Sequence, residues 1–385
     1  MSRDKTMIGA IAVCGVDFGW GSAGKISAIL EEIRDRGDMR VVMIGTALGR
    51  PVLLNAQVDV WVEDWPTSDS ELRQLMRDLD VVAALVILDP YAASKLESVG
   101  IPTLYIDSIP YVWTMADFLP TAVSIYCAQR SRFLPAAAEA ALRRVSNVTW
   151  IDAIVTVPVR DAVVDRELAI LNFGGMHSPT HVAGNPVYLS LVVMPVLKSL
   201  VSAGYRRVEV CGNLAMADLG HGPEALSLDL HVNPRSHEEF MALLGSAGVL
   251  LTSPGLTALL EASACGCPTV CLPPQNLSQI FNAQRFAKAV SEELVVSWPR
   301  GVVDSDRLDK VRGDGEGAAL TFIDASLTAI DPESIHADLS RQVKDSLSAV
   351  ELSIDWQGLI RESGNQGALE VADLLRDLAV LGPST

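Results

Sequence analysis

The chain has 385 residues, of which 49% are apolar and 20% charged, with a formal net charge of −17 at pH 7. That length exceeds what one core usually fills, so two domains are expected, and the apolar content excludes a disordered chain. The acidic balance argues against a sequence-independent grip on nucleic acid, which depends on Lys and Arg neutralising phosphates.

No run of about 18 or more uncharged apolar residues is present, and Met1–Thr6 leads into a strand without a cleavable signal pattern, so a cytoplasmic location and no membrane partner are expected. The first strand is predicted over Met7–Val13. After it, Gly19-Trp20-Gly21-Ser22-Ala23-Gly24-Lys25 satisfies both G-x-G-x-x-G and the opening of a P-loop. A P-loop needs Ser or Thr after its lysine, and Ile26 stands there. A dinucleotide fold needs an acid at the end of the second strand, and Val41–Ile44 runs into Gly45-Thr46. The plainer account is that Gly21 and Ser22 let the backbone approach a bound sugar or acceptor, while Lys25 or the helix N-terminus faces negative charge. A merely tight strand-to-helix turn is the alternative.

Strands over Val81–Leu88 and Pro102–Ile106 follow, ending at Asp89-Pro90 and Asp107-Ser108. With Asp17, three carboxylates stand at strand ends. Each serves equally well as a helix cap or turn residue, but Asp17 and Asp107 are the candidates for a general base. Asp107-Ser108-Ile109-Pro110-Tyr111-Val112-Trp113 sets aromatic faces beside a carboxylate, so Tyr111 and Trp113 are candidates to stack on a flat acceptor, with packing under a loop as the alternative. A domain seam is expected near Pro158–Glu167, which separates apolar strands and shows no periodic core pattern.

Strands are predicted over Leu168–Phe173, entering Gly174-Gly175, over Val208–Cys211, and over Leu228–Val232, entering Asn233-Pro234-Arg235; a helix runs from about Ser236 to Ser246. The apolar run Gly248–Leu251 then breaks into Thr252-Ser253-Pro254-Gly255 and reopens as a helix. A helix N-terminus offers unpaired N–H donors and a partial positive charge of about half a unit, which suits a diphosphate. Leu256, Leu259 and Leu260 mark that helix's buried stripe, and Thr257 and Glu261, four residues apart, are expected on its exposed flank. An ionised Glu261 there would accept both hydroxyls of a ribose. Pro268–Leu272 is the next strand, and Gln275, Asn276 and Gln279 crowd its carboxyl end, where open α/β sheets bind ligands. Gly301–Glu316 is expected to be a loop, and Val371–Val380 a helix.

Cys265, Cys267 and Cys271 have C-x-C-x3-C spacing on a helix end and a buried strand, which fits reduced core thiols rather than zinc ligands. His177 and His181 are four apart, but a proline interrupts them and no glutamate lies between, so a zinc pair is not expected. His177 is either a cap on a diphosphate or a surface histidine.

The run Leu251–Glu261, with Gly266-Cys267-Pro268, Leu272-Pro273-Pro274-Gln275, Gln279 and Asn282-Ala283, resembles the donor-binding half of GT-B nucleotide-sugar glycosyltransferases. It is similar both to plant-type UDP-glycosyltransferases and to the N-acetylglucosaminyltransferase that makes lipid II, over roughly residues 168 to 300. The resemblance implies an α/β protein of two Rossmann-like domains with parallel sheets facing a central cleft. Residues 1–160 would bind the acceptor and 168–345 the nucleotide sugar, and the helices of 346–385 would pack back on the first domain. Carried over by position, Gly174 and Gly175 would lie against the diphosphate, Asn233 to Arg235 would hold the uracil, and Glu261 the ribose. Ser253, Gly255, Leu256 and Thr257 would line the same donor site. The family's acid–glutamine pair at the sugar is replaced here by Gln275-Asn276 with Gln279, a departure that leaves the sugar contacts open. No cofactor or metal is implied, the helix terminus standing in for a cation.

Gly19–Lys25, Asp107–Trp113 and Tyr126-Cys127-Ala128-Gln129 further resemble the cytosylglucuronate synthases of peptidyl-nucleoside antibiotic pathways, which transfer glucuronic acid from UDP-glucuronate to N1 of cytosine or hydroxymethylcytosine with inversion. That resemblance implies Asp17 or Asp107 as the group that takes the proton, Tyr111 and Trp113 around the base, and Arg130 or Arg285 paired with the sugar carboxylate. The partners would be small molecules only. A GT-B-fold sugar-nucleotide epimerase, a glycosyltransferase forming another natural product's O-glycoside, and a non-catalytic nucleotide-binding protein are the competing readings.

Overall fold

In the computed structural model, which describes residues 8–45, 47–176, 185–219 and 227–382, the strands form two sheets in which every pairing is parallel. The first holds β1 (Gly9–Gly15), β2 (Met39–Ile44), β3 (Val60–Val62), β4 (Val81–Ile87), β5 (Thr103–Asp107), β6 (Ile125–Gln129) and β7 (Val148–Ile151), in the order β3-β2-β1-β4-β5-β6-β7. The second holds β8 (Asp165–Gly174), β9 (Arg207–Gly212), β10 (Asp229–Asn233), β11 (Ala247–Thr252) and β12 (Thr269–Cys271), in the order β10-β9-β8-β11-β12. In both, the strand order reverses beside the first strand, so a switch-point crevice opens at the carboxyl ends of β1 and β4 and of β8 and β11.

β1, β4 and β5 are near-continuous apolar runs because helices cover both faces of a parallel sheet. β1 runs two residues later than its predicted span, ending at Gly15. The pattern missed β3, β6 and β7, which are short, β3 and β7 also being only partly buried.

The chain divides into two compact units. One comprises residues 1–110, 118–155 and 363–385; the other comprises 111–117 and 156–362. The helix Gly367–Leu381 therefore belongs with the first sheet. Val371, Leu375 and Leu378 join Ile29, Ile33 and Leu85 in one core, and ion pairs Arg36–Asp373 (2.6 Å) and Arg376–Asp38 (2.8 Å) flank it. In the second unit the helix Pro332–Ala349 lies along the helix Pro186–Ser202.

The segment Pro158–Glu167 is fixed in the second unit. Arg160 donates to the Leu244 carbonyl (2.6 Å) and the Asp161 amide to Gly245 (3.1 Å), and β8 already begins at Asp165. Gly301–Glu316 is not a loop throughout. Asp304 accepts from the Arg307 amide (3.0 Å) and starts a helix over Ser305–Arg312, a cap that the acidic and glycine content of the stretch obscured.

Leu375 is fully buried between the terminal helix and the first sheet. Leu375→Ala is expected to destabilise this unit by about 2–5 kcal/mol, read as a lower urea midpoint. A change under about 1 kcal/mol would mean that the helix is not docked there in solution.

Candidate functional site

At the second switch point, Asn172 joins the ends of β8 and β11. Its side chain donates to Thr252 Oγ1 (3.0 Å) and accepts from the Gly174 amide (3.0 Å), while its carbonyl accepts from the Ser253 amide (3.0 Å). Gly174 has φ +63°, a conformation that favours glycine, and none of the described residues comes within 4 Å of where a Cβ would stand. The Gly255 amide turns back on the Ser253 carbonyl (2.5 Å), and the helix Leu256–Cys265 begins with no side-chain cap and no acid in its first turn. A helix start of this kind suits an anion through its amides and dipole. Gly174, Gly175 and Gly255 are half-buried around this point.

The expectation of an exposed flank on this helix fails. Leu256, Thr257 and Glu261 are all buried, because packing surrounds the helix on every side. Glu261, 2% exposed, takes a 2.7 Å hydrogen bond from Nε2 of His237, itself 8% exposed. His237 opens the helix His237–Ser246, which a reciprocal Ser236/Glu239 capping box fixes. Before that helix, Asn233 at the end of β10 is exposed, and Arg235 is held by Glu209 of β9 at 2.5 Å.

The amides beyond β12 bond to one another. Gln275 donates to Ser253 Oγ (2.8 Å), its amide N–H donates to Gln279 Oε1 (2.8 Å), and Asn276 caps the next helix through the Gln279 amide (3.0 Å). Sequence reasoning missed the residues that hold this loop. Tyr188 donates to the Pro273 carbonyl (2.7 Å) and Trp298 to the Pro274 carbonyl (2.8 Å), from helix and loop positions that carry no local signal.

Tyr111 and Trp113 do not form an open stacking platform. Tyr111 is 0% exposed within the second unit and donates to Asn282 Oδ1 (2.5 Å), whose amide donates to the Pro254 carbonyl (2.9 Å); Trp113 is buried as well. Arg285 is buried with its guanidinium 5.1 Å from the Tyr111 ring centre, so its apolar and cationic surface is used in packing. Arg130 lies at the surface of the first unit, paired with Asp152 at 3.1 Å.

At the first switch point, a Cβ on Gly15 would stand 3.0 Å from Ser22 Cβ, so glycine permits the close approach of β1 to the helix Gly21–Arg36. That helix also lacks a side-chain cap and an acid in its first turn; Gly21 is exposed and Ser22 buried. Lys25 is buried with Nζ 3.3 Å from the Gly21 carbonyl. Asp17 reaches solvent, yet its carboxyl is raised above the usual range by partial desolvation, against the pull of a hydrogen bond from the Leu48 backbone and with a further rise from Asp89. Asp89 caps the helix Pro90–Ser98 through the Tyr91 and Ala92 amides (3.1 and 2.9 Å), and Leu88 before it has φ +59°, a strained backbone for a branched residue. Asp107 is fully buried, with one oxygen accepting from the Ile109 amide (3.2 Å) and the other from Tyr126 (2.8 Å). Both of its oxygens are thus engaged within the fold.

His177 and His181 lie outside the described residues. All six cysteines are buried and free. Among the described residues no group of three or more His, Cys, Asp or Glu is placed to hold a metal ion, and no helix is long and apolar enough to cross a membrane.

Two parallel α/β units with these switch points are the GT-B architecture. Three solved structures share it across the chain. The glycotransferase of kitacinnamycin is 15% identical with a TM-score of 0.53, covering 96% of this chain and 99% of that one. A UDP-glucosyltransferase from Polygonum tinctorium capable of glucosylating indoxyl, in complex with 3,4-dichloroaniline, is 14% identical with a TM-score of 0.52, covering 97% and 100%. UGT89C1 of Arabidopsis thaliana, complexed with UDP, is 12% identical with a TM-score of 0.52, covering 96% and 100%. No curated protein matches the sequence. Fold and family together put the chain in the GT-B glycosyltransferase class. Residues 67–311 match the model of the family described as CGA synthase-related protein, and the chain belongs to that family.

Because Glu261 is buried against His237, Glu261→Ala removes a hydrogen-bond partner of a buried imidazole. It is expected to lower stability by about 1–3 kcal/mol, measured by urea unfolding; an unchanged midpoint would show that the pair is open in solution.

Proposed function

We propose that this enzyme is an inverting transferase that moves glucuronic acid from UDP-glucuronate to N1 of cytosine or a related base. The observation that carries the donor half is the uncapped start of the helix Leu256–Cys265, set beside the open Gly174 turn and followed about one and a half turns on by Glu261. The diphosphate would lie on the first-turn amides of that helix, the uracil by Asn233–Arg235, and the ribose hydroxyls on Glu261. Ser253, Gln275, Asn276 and Gln279 supply neutral donors and acceptors suited to a sugar. The choice of glucuronate and cytosine is supported by the resemblance of Gly19–Lys25, Asp107–Trp113 and Tyr126–Gln129 to cytosylglucuronate synthases, with which the family description agrees.

Asp17 is the proposed base. It is the solvent-reaching carboxylate at the first switch point, and its raised pKa makes it a stronger proton acceptor than an ordinary aspartate. As N1 attacks the anomeric carbon, the N1 proton passes to Asp17 and the C1–oxygen bond to the diphosphate breaks with inversion. UDP leaves with its added charge facing the helix amides. No metal is needed in this scheme.

Incubation with UDP-glucuronate and cytosine should release UDP only when cytosine is present and give a conjugate of the summed mass less UDP. Sugar interconversion without an acceptor would point to an epimerase instead. Asp17→Asn keeps size but removes proton affinity, so turnover should fall about 100-fold or more with UDP affinity by calorimetry unchanged. In the unaltered enzyme kcat/KM should rise with pH through a value above the ordinary 3.8 of aspartate, since the base works only when deprotonated. An Asp17→Asn variant with near-normal turnover would remove this residue from the chemistry.

A further inference from the structure

We infer that His237 is a positioning residue for donor recognition, orienting the Glu261 carboxylate toward the ribose. The inference rests on the reading of Glu261 as the ribose-binding group. Glu261 is almost wholly buried, and a buried carboxylate with no donor on it is costly and free to rotate into other arrangements. Nε2 of His237 lies 2.7 Å from Oε1, the length of a charge-assisted bond, which fixes the plane of the carboxylate. One oxygen is thereby engaged by the imidazole. The remaining lone pairs of a group with about four such sites are left in one set direction, as bidentate binding of a diol requires.

The imidazole itself is held. It sits at the first position of the helix His237–Ser246, where Ser236 Oγ accepts from the Glu239 amide (3.3 Å) and Glu239 accepts from the Ser236 amide (2.8 Å). Two residues earlier, Arg235 is tied to Glu209 at 2.5 Å. The loop Asn233–Arg235 and the Glu261 carboxylate are therefore joined through one short, braced segment, and His237 is the link between them. His237 would act on the ribose through Glu261 rather than by touching it.

A purely structural His–Glu pair would make a different prediction, because its loss would weaken all nucleotides alike. Calorimetric affinities for UDP and 2′-deoxy-UDP should be compared in the unaltered protein and in Glu261→Gln, His237→Phe and His237→Gln, with thermal unfolding of each. The unaltered protein is expected to favour UDP by about 10-fold or more. Glu261→Gln should reduce that preference. His237→Phe keeps bulk and loses the donor, so the preference should drop to about 2-fold or less while 2′-deoxy-UDP binds much as before. His237→Gln, whose amide nitrogen approximates the position of Nε2, should recover much of it. Should His237→Phe fail to fold, His237→Asn, too short to reach Glu261, replaces it with the same expected loss. A folded His237→Phe or His237→Asn that keeps the full preference overturns the inference while leaving Glu261 in place. If the unaltered protein does not distinguish the two nucleotides, or Glu261→Gln leaves the preference intact, the ribose role of Glu261 fails and this inference with it.

Discussion

A parallel strand can continue only through a crossover, so each strand of a doubly wound sheet hands its chain to a helix whose first amides have no partner within that helix. Where the strand order reverses, neighbouring crossovers leave on opposite faces and no element covers the point between them. This constraint sets the candidate site in both units. At β1 and β8 the chain leaves the strand through glycine, and the helices Gly21–Arg36 and Leu256–Cys265 both begin without a capping side chain. Several other helices are closed by Ser68, Asp89, Ser236 or Asn276, while Ala136–Leu142, Glu316–Thr328, Pro332–Ala349 and Gly367–Leu381 also start without a side-chain cap but not at a switch point. Capping stabilises a helix by about 1 kcal/mol, and a helix start at a switch point without it suits an anion through its amides and dipole.

Around the second of these points the structure is built for rigidity. Asn172 bridges two strands, Tyr111 and Asn282 hold the Pro254 carbonyl, and Tyr188 and Trp298 hold Pro273 and Pro274. Each bond is modest in net terms, near 1 kcal/mol, but each also satisfies a group in a loop that a parallel sheet leaves irregular. Aromatic residues thus serve here as buried donors behind the site. Tyr111 illustrates the point: its ring packs against Arg285 and Phe281, and its hydroxyl braces, through Asn282, the turn from which the helix Leu256–Cys265 starts.

The carboxylates at strand ends separate by environment. Asp17 reaches solvent with a raised pKa, Asp89 is a helix cap, and Asp107 is enclosed with both oxygens bonded. Three residues that look alike in the sequence therefore stand in three environments. Proton transfer needs access as well as basicity, and only burial decides access.

The sequence by itself determined the class of fold. Apolar runs broken at Asp89, Gly174 and Ser253 mark strand ends, the parallel two-domain arrangement follows from the resemblance of Leu251–Ala283 to GT-B glycosyltransferases, and the Ser253–Glu261 stretch locates the helix start because proline and glycine act on the backbone locally. The short strands β3, β6 and β7 were not legible, since their pairing depends on neighbours remote in the chain. Which side chains face a ligand was also decided only by the tertiary structure. A helix enclosed on all sides has no exposed flank, so the spacing of Thr257 and Glu261 does not reveal their burial, and nothing local shows that His237, 24 residues away, would meet Glu261. Tyr111 and Trp113 likewise carry no mark of the unit that encloses them. Local patterns fix backbone geometry; burial and partnership arise from contacts between segments that only the folded chain brings together.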